Sequence, residues 1–202
     1  MHEFKIFALF SDRIEYGISS DLFGILADQL HETTIMELDS KPSSMPRCDG
    51  FMTNKTGLPL MVKVADCQGI LLYDPVTHSA AAVHSGWRGS AQNIIGKAVK
   101  KMRKTYGTNP ADLLAAISPS LGPCCAKFSD PKNELPRFCH PFVQSNGHVD
   151  FWKLSRLQLQ DVGVPEENIE LAGICTKCQP GYFSHRNGDS GRMGVFIKLR
   201  VV

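Results

Sequence analysis

The spacing of apolar and polar positions changes several times along the chain, and each change marks out an element. Phe4 to Phe10 reads as a strand, and Asp21 to Leu30 as a short helix with Ser20 as its cap. Ile35 to Leu38 and Phe51 to Thr53 are strand-like and flank a Pro- and Ser-rich loop from Lys41 to Pro46. Three apolar runs follow, Leu58 to Ala65, Gly69 to Tyr73 and Ser79 to Val83, with a turn at Asp74-Pro75 joining the last two; these predict the strands of the core. From Ser90 the period lengthens. Ala91, Ile94, Ile95, Ala98, Val99 and Met102 fall at helical spacing, basic residues fill the final turn, and Gly107 can end it. Leu113 to Ile117 predicts another strand, Asp150 caps a helix through Trp152, Leu154, Leu157 and Leu159, and Ile169 to Ile174 and Met193 to Val201 read as closing strands. Strands in runs with few helices between them predict an α+β fold rather than a doubly wound sheet.

Composition narrows the function classes. A chain of 202 residues with 43% hydrophobic content can bury a substantial core, and one domain is expected over 1–202. A formal charge of +2 is too small to argue for nucleic acid or an anionic membrane as partner, and the basic cluster Lys100-Lys101-Met102-Arg103-Lys104 fits the solvated side of a helix. No run of about 18 apolar residues occurs, so no membrane span is expected. Seven cysteines is an odd number, and Met1-His2-Glu3-Phe4-Lys5 lacks the apolar stretch of a signal peptide; together these predict a cytoplasmic protein with reduced thiols.

Two of the apolar runs close on metal-type donors. Ala65-Asp66-Cys67 ends one, and Ala82-Val83-His84-Ser85-Gly86-Trp87-Arg88-Gly89 ends another, so adjacent strands would present a thiolate and an imidazole side by side at one sheet edge. An isolated cysteine is usually a small hydrophobe, and a lone histidine at a strand end is usually a hydrogen-bonded surface residue. The context shifts that balance. Asp66 and Gln68 are odd choices for an apolar interior, Gly86 and Gly89 permit tight backbone geometry, Trp87 offers a flat wall, and Arg88 offers a fork for a phosphate or carboxylate.

These segments, together with Pro119-Ser120-Leu121-Gly122-Pro123-Cys124-Cys125, Cys175-Thr176, Phe183-Ser184-His185-Arg186 and Gly191-Arg192, resemble in order and spacing the motifs of the YfiH/laccase-domain-containing family from about Gly50 onward. The resemblance implies a single α+β domain of two mixed β-sheets packed together with flanking helices. It also implies a mononuclear metal centre, usually taken as zinc, held by two histidines and a cysteine. Members were first described as polyphenol oxidases, and later as purine nucleoside phosphorylases, methylthioadenosine phosphorylases and adenosine deaminases, with bacterial members also linked to peptidoglycan editing. Carried onto this chain, Cys67 and His84 are metal ligands, and Gln29-Leu30-His31-Glu32 stands for the Gln-Val-His-Gly motif, which makes His31 the third.

Two imidazoles and a thiolate leave a fourth tetrahedral position open, as catalytic zinc sites do. Asp66 is then the nearest acid/base, Arg88 a member of a phosphate cradle, and Ser11 and Arg13, which resemble the family's N-terminal Thr-Arg element, join Arg186 and Arg192 in binding substrate. The chain departs from the pattern before residue 50: 17 residues separate Arg13 from His31 where the family has a longer stretch, Glu32 replaces a Gly, and His185 stands where an aromatic is typical.

The leading expectation is a zinc-dependent enzyme that phosphorolyses adenosine, inosine or methylthioadenosine and deaminates adenosine, with nucleoside and phosphate as partners and a monomeric or homodimeric state. One alternative is a cysteine hydrolase or amidase on a peptidoglycan-related substrate, with Cys67 as nucleophile and His84 as its base. Another is a catalytically degenerate, metal-retaining nucleoside-binding protein. Copper fits less well, because the paired His-x-His motifs of oxidase sites are missing. The other conspicuous residues receive structural readings. Cys175-Thr176-Lys177-Cys178 is a lone Cys-x-x-Cys, Cys124 and Cys125 are adjacent and ill suited to share one metal, and His78, His140 and His148 lie in turn or loop contexts, with His140 held in reserve should His31 fail as a ligand.

Overall fold

The computed structural model describes residues 4–201. Along them run α1 (Lys5–Ala8), β1 (Ile14–Ser19), β2 (Ile35–Glu37), β3 (Gly50–Thr53), β4 (Leu60–Val64), β5 (Gln68–Asp74), β6 (Ser79–Ser85), α2 (Trp87–Ala91), α3 (Ile94–Tyr106), β7 (Leu114–Ile117), α4 (Pro131–Glu134), α5 (Phe151–Gln160), β8 (Ile169–Leu171) and β9 (Met193–Leu199). Six strands form one sheet in the order β2-β3-β6-β5-β7-β8, parallel at both outer pairs and antiparallel between them. The other three form an antiparallel sheet, β1-β9-β4. The architecture is α+β, as the succession of strands predicts.

The β5–β6 hairpin explains the layering. Leu71 and Tyr73 of β5 and Ala80 and Ala82 of β6 face the three-stranded sheet, packing with Val62, Val195 and Ile197. Their neighbours Ile70, Leu72, Ala81 and Val83 face the other way, onto Ile94, Ile95, Ala98, Val99 and Met102 of α3. Both faces are buried, so these strands read as continuous apolar runs rather than alternating ones. At about 1.5–3 kcal/mol for each fully buried aliphatic side chain, this two-sided hairpin is the least tolerant part of the fold. Among the described residues no helix is long and apolar enough to cross a membrane.

Four elements differ from the sequence reading. Phe4 to Phe10 is not a strand: Phe4 and Phe7 are buried while Lys5 and Ala8 are exposed, so the functional spacing is three and α1 forms. Asp21 to Leu30 is not a helix. Ile25 exchanges backbone hydrogen bonds with the β4 region, donating to Pro59 O at 2.7 Å and accepting from Met61 N at 3.1 Å, and the Gln29 amide pairs with both backbone groups of Lys63 at 2.9 and 2.7 Å. These bonds to a strand outweigh the weak helical preference of so short a segment. The helix expected from Ser90 is broken at Asn93, which takes φ 54° and caps α3 by accepting from Gly96 N at 2.9 Å. Finally, β1, which the pattern does not announce, exists because it pairs along its whole length with β9.

Candidate active site

Cys67 and His84 meet, but not as ends of neighbouring strands. β4 and β6 lie in different sheets; the corner Ala65-Asp66-Cys67 carries the chain from one to the other, with Asp66 in the left-handed region at φ 80°. The β5–β6 register then pairs Gln68 with Ser85 and Gly69 with His84, which sets Cys67 opposite Gly86. His31, also at positive φ (60°), reaches the same point from the extended segment before β2.

One buried carboxylate orients both histidines. Asp49, fully buried just before β3, accepts the backbone N–H groups of His31 and Glu32 at 2.8 Å each, and its Oδ1 bonds the His84 ring at Nδ1, 2.9 Å away. His84 is thereby left with Nε2 for a metal, the arrangement in which a carboxylate fixes the tautomer of a ligating imidazole. Donor atoms of His31, Cys67 and His84 all lie within 4.8 Å of one another, and the two imidazole rings stand perpendicular at 4.8 Å. Gly86 leaves the space between them: a Cβ there would sit 3.1 Å from the His31 ring and 3.2 Å from Cys67 Sγ. Two nitrogens and a sulfur gathered this closely could hold a metal ion.

The electrostatics follow from these contacts. Burial pushes the Cys67 thiol up, but hydrogen bonds and charge from His31 and His84 outweigh it and bring the thiol down to about 6. Burial alone would lower His84; its bonds to Asp49 and Cys67 instead raise it to about 9. Asp49 is held below the usual carboxylate range, because His84 and the two backbone N–H groups overcome its burial. In the metal-free protein near neutral pH, Cys67 and His84 therefore form a thiolate–imidazolium pair.

The three donors line a cavity of about 550 Å³. Asp66, Arg88, Arg186 and Arg192 line it too, together with Lys63, Trp87 and Phe128. Arg88 is exposed, its guanidinium stacks 4.2 Å above the Trp87 ring, and among the described residues no carboxylate pairs with it. Asp66 is tethered through both oxygens: Oδ1 accepts from Thr176 Oγ1 and Oδ2 from Arg186 N, both at 2.7 Å. The guanidinium of Arg186 donates to Lys127 O and that of Arg192 to carbonyls of its own loop.

Ser11 and Arg13 are a correction, because neither lines the cavity. Arg13 donates to Pro75 O at 3.0 Å, in the turn of the β5–β6 hairpin. That turn lies at the far end of the hairpin from Gln68 and Ser85, roughly 20 Å away at the rise of a strand. Sequence reasoning also missed Asp49, whose only signal was an acid between Cys48 and Gly50 at the head of an apolar run, and Thr176, whose hydroxyl holds Asp66. His78 and His140 stay outside, bonded to Arg200 O and Leu135 O.

Comparison with known proteins shows the family and the fold. The family described as multi-copper polyphenol oxidoreductase laccase matches residues 13–200. YlmD of Bacillus subtilis, named a purine nucleoside phosphorylase, is 29% identical over 196 residues, covering 87% of this chain and 70% of its own length. The YlmD of Geobacillus stearothermophilus, named likewise, is 34% identical over 173 residues, 78% of this chain and 62% of its own. Among solved structures, Bacillus licheniformis YfiH superposes with a TM-score of 0.79 at 31% identity, covering 87% of this chain and 74% of that one.

Proposed function

Because the chain belongs to the multi-copper polyphenol oxidoreductase laccase family, we propose that it is a zinc-dependent purine nucleoside phosphorylase that cleaves adenosine, inosine or methylthioadenosine with inorganic phosphate. The observation that carries this reading is the convergence of His31, Cys67 and His84 in the wall of a cavity that also holds four basic side chains, Lys63, Arg88, Arg186 and Arg192, against two carboxylates, Asp28 and Asp66. When bound, zinc supplies a Lewis acid for a substrate oxygen or for water.

The chain's own residues do the rest. The excess of basic groups draws phosphate into the cavity and favours the negative charge that gathers on the departing purine as the glycosidic bond breaks. Trp87 and Phe128, packed edge to face at 5.8 Å, give an apolar corner against which a purine can pack. Arg88 is the cradle member best placed to bind phosphate, since among the described residues the Arg186 and Arg192 guanidiniums already donate to backbone carbonyls while that of Arg88 only stacks on Trp87. Asp66 holds the Cys67 corner in place, each of its oxygens accepting one hydrogen bond. Deamination, which asks for an acid/base at that position, is the second activity of this reading, with Asp66 as that group.

A second reading rests on one observation: Cys67, His84 and Asp49 are joined as nucleophile, base and orienting acid, with the thiol already near 6. It makes the protein a cysteine hydrolase or amidase. One experiment separates the two. With zinc present, free base should be released from inosine, adenosine and methylthioadenosine only when phosphate is supplied, and Cys67→Ala should lose both turnover and its zinc. Loss of turnover with zinc unchanged favours the nucleophile. Nucleoside binding without turnover in the zinc-loaded wild type leaves only a binding protein.

A further inference from the structure

Four sulfurs outside this cavity also converge. The sequence reading treated Cys124-Cys125 as ill suited to one metal and Cys175-x-x-Cys178 as structural or incidental thiols; the fold brings all four together. Cys125 and Cys178 stand 3.3 Å apart at sulfur, Cys124 and Cys178 3.7 Å, and all four Sγ atoms lie within 4.8 Å of one another. Thiolates placed tetrahedrally around zinc at about 2.3 Å are about 3.8 Å apart, in the middle of that spread. All seven cysteines of the chain are unpaired.

The backbone brings these groups together without help from an ion. Ser120 and Cys175 form a parallel bridge, with Ser120 N donating to Ile174 O and Thr176 N to Ser120 O, both at 3.1 Å. Gly122 N donates to Cys175 Sγ at 3.3 Å, the kind of bond that favours a ligating thiolate. Gly122 can approach so closely only without a side chain, since a Cβ would sit 2.9 Å from Trp152 and 3.0 Å from the Cβ of Cys175.

We propose that Cys124, Cys125, Cys175 and Cys178 form a second metal site, a closed four-thiolate centre that takes zinc, and that its ion fixes one wall of the cavity. Binding exchanges the ion for the four thiol protons, which pass to solvent; no oxidant is needed. The wall is reached directly. Thr176, next to Cys175, holds Asp66; Leu121 N, just before Gly122, donates to Asp66 O at 2.8 Å; and Asn187, next to Arg186, donates to Lys177 O at 3.1 Å. A Cys125–Cys178 disulfide is the competing account, but it leaves the convergence of Cys124 and Cys175 without a purpose.

The test uses the full chain, loaded with zinc under anaerobic, reducing conditions and then desalted. Elemental analysis should find a second equivalent of zinc beyond the one held by Cys67, and the double variant C125S/C178S should lose that second equivalent only. Should that variant fail to fold, peptide mapping after iodoacetamide treatment of the wild type decides. The four cysteines should be protected together and become reactive together on chelation. X-ray absorption on Cys67→Ala should then show zinc with four sulfur neighbours at about 2.3 Å. A single zinc in the wild type that Cys67→Ala removes, unchanged zinc in C125S/C178S, iron in place of zinc, or a Cys125–Cys178 disulfide recovered under these conditions would overturn the proposal. Independent loss of the two equivalents also keeps this test separate from the one on phosphorolysis.

Discussion

The two thiol clusters are built on different terms. Around Cys67 the donors are mixed, one of them is exposed, and a buried acid behind them holds both histidines; the cluster opens on a cavity. Around Cys175 every donor is sulfur, the supporting hydrogen bond comes from a backbone N–H, and among the described residues none of the four lines the cavity. Mixed donors with a spare position suit chemistry, whereas four sulfurs complete a shell and suit attachment. One chain thus offers both arrangements, and the groups behind each cluster mark the difference as much as the donors themselves.

The sharpest way to break this comparison is Asp49→Asn. An amide presents N–H groups where the carboxylate accepted them, so the metal affinity of the His31–Cys67–His84 cluster should fall about 10–100-fold, with the four-cysteine cluster unaffected. Competition titration with a chelator measures both; equal weakening would show that Asp49 supports the whole fold and not one site.

Reactivity against pH tests the electrostatic half of the contrast. In metal-free protein, iodoacetamide labelling of Cys67 should rise with a midpoint near 6, while Cys48 and Cys139, pushed up by burial to about 11, stay silent at neutral pH. A Cys67 midpoint near its ordinary 9.0 would sink the ion pair. The signs for stability oppose each other. The lowered Cys67 contributes fully above 9.0 and loses its share as pH falls toward about 6, whereas the raised His84 contributes fully below 6.5 and loses its share as pH climbs to about 9. The pair's net stabilisation should therefore vary little between 6.5 and 9, which urea midpoints across that range would check.

The smallest effect probes the link between the clusters. Thr176→Val removes one hydrogen bond to Asp66 and should cost about 1 kcal/mol of unfolding free energy, with a few-fold rise in KM and no loss of metal from either cluster. Metal loss would mean that Thr176 holds a ligand rather than the cavity wall.

Much of the first cluster was legible in the sequence because Cys67 and His84 close apolar runs and are followed by polar or glycine-rich residues, a combination the interior of a sheet does not want. His31 needed the resemblance to a family, since it stands on a segment with no regular period. Asp49 was not legible: an acid beside a glycine reads as a turn, and only the tertiary structure buries it. The second cluster was hidden for a related reason. Cys124-Cys125 and Cys175-x-x-Cys178 are each uninformative alone, and the bridge between Ser120 and Cys175 that unites them is a long-range pairing with no local signature. At the N-terminus, alternating Phe4, Ile6, Ala8 and Phe10 imitated a strand where the packing selects Phe4 and Phe7.

The bonds to Asp66 have a consequence for synthesis of the chain. Its carboxylate is gripped from 110 and 120 residues downstream. A nascent polypeptide thus emerges from the ribosome with His31, Cys67 and His84 long before Thr176 and Arg186 exist to steady the corner between them. Contacts so distant form late. An ion reaching the growing chain would meet these side chains without their enclosure, because the corner is steadied only after residue 186 has been added.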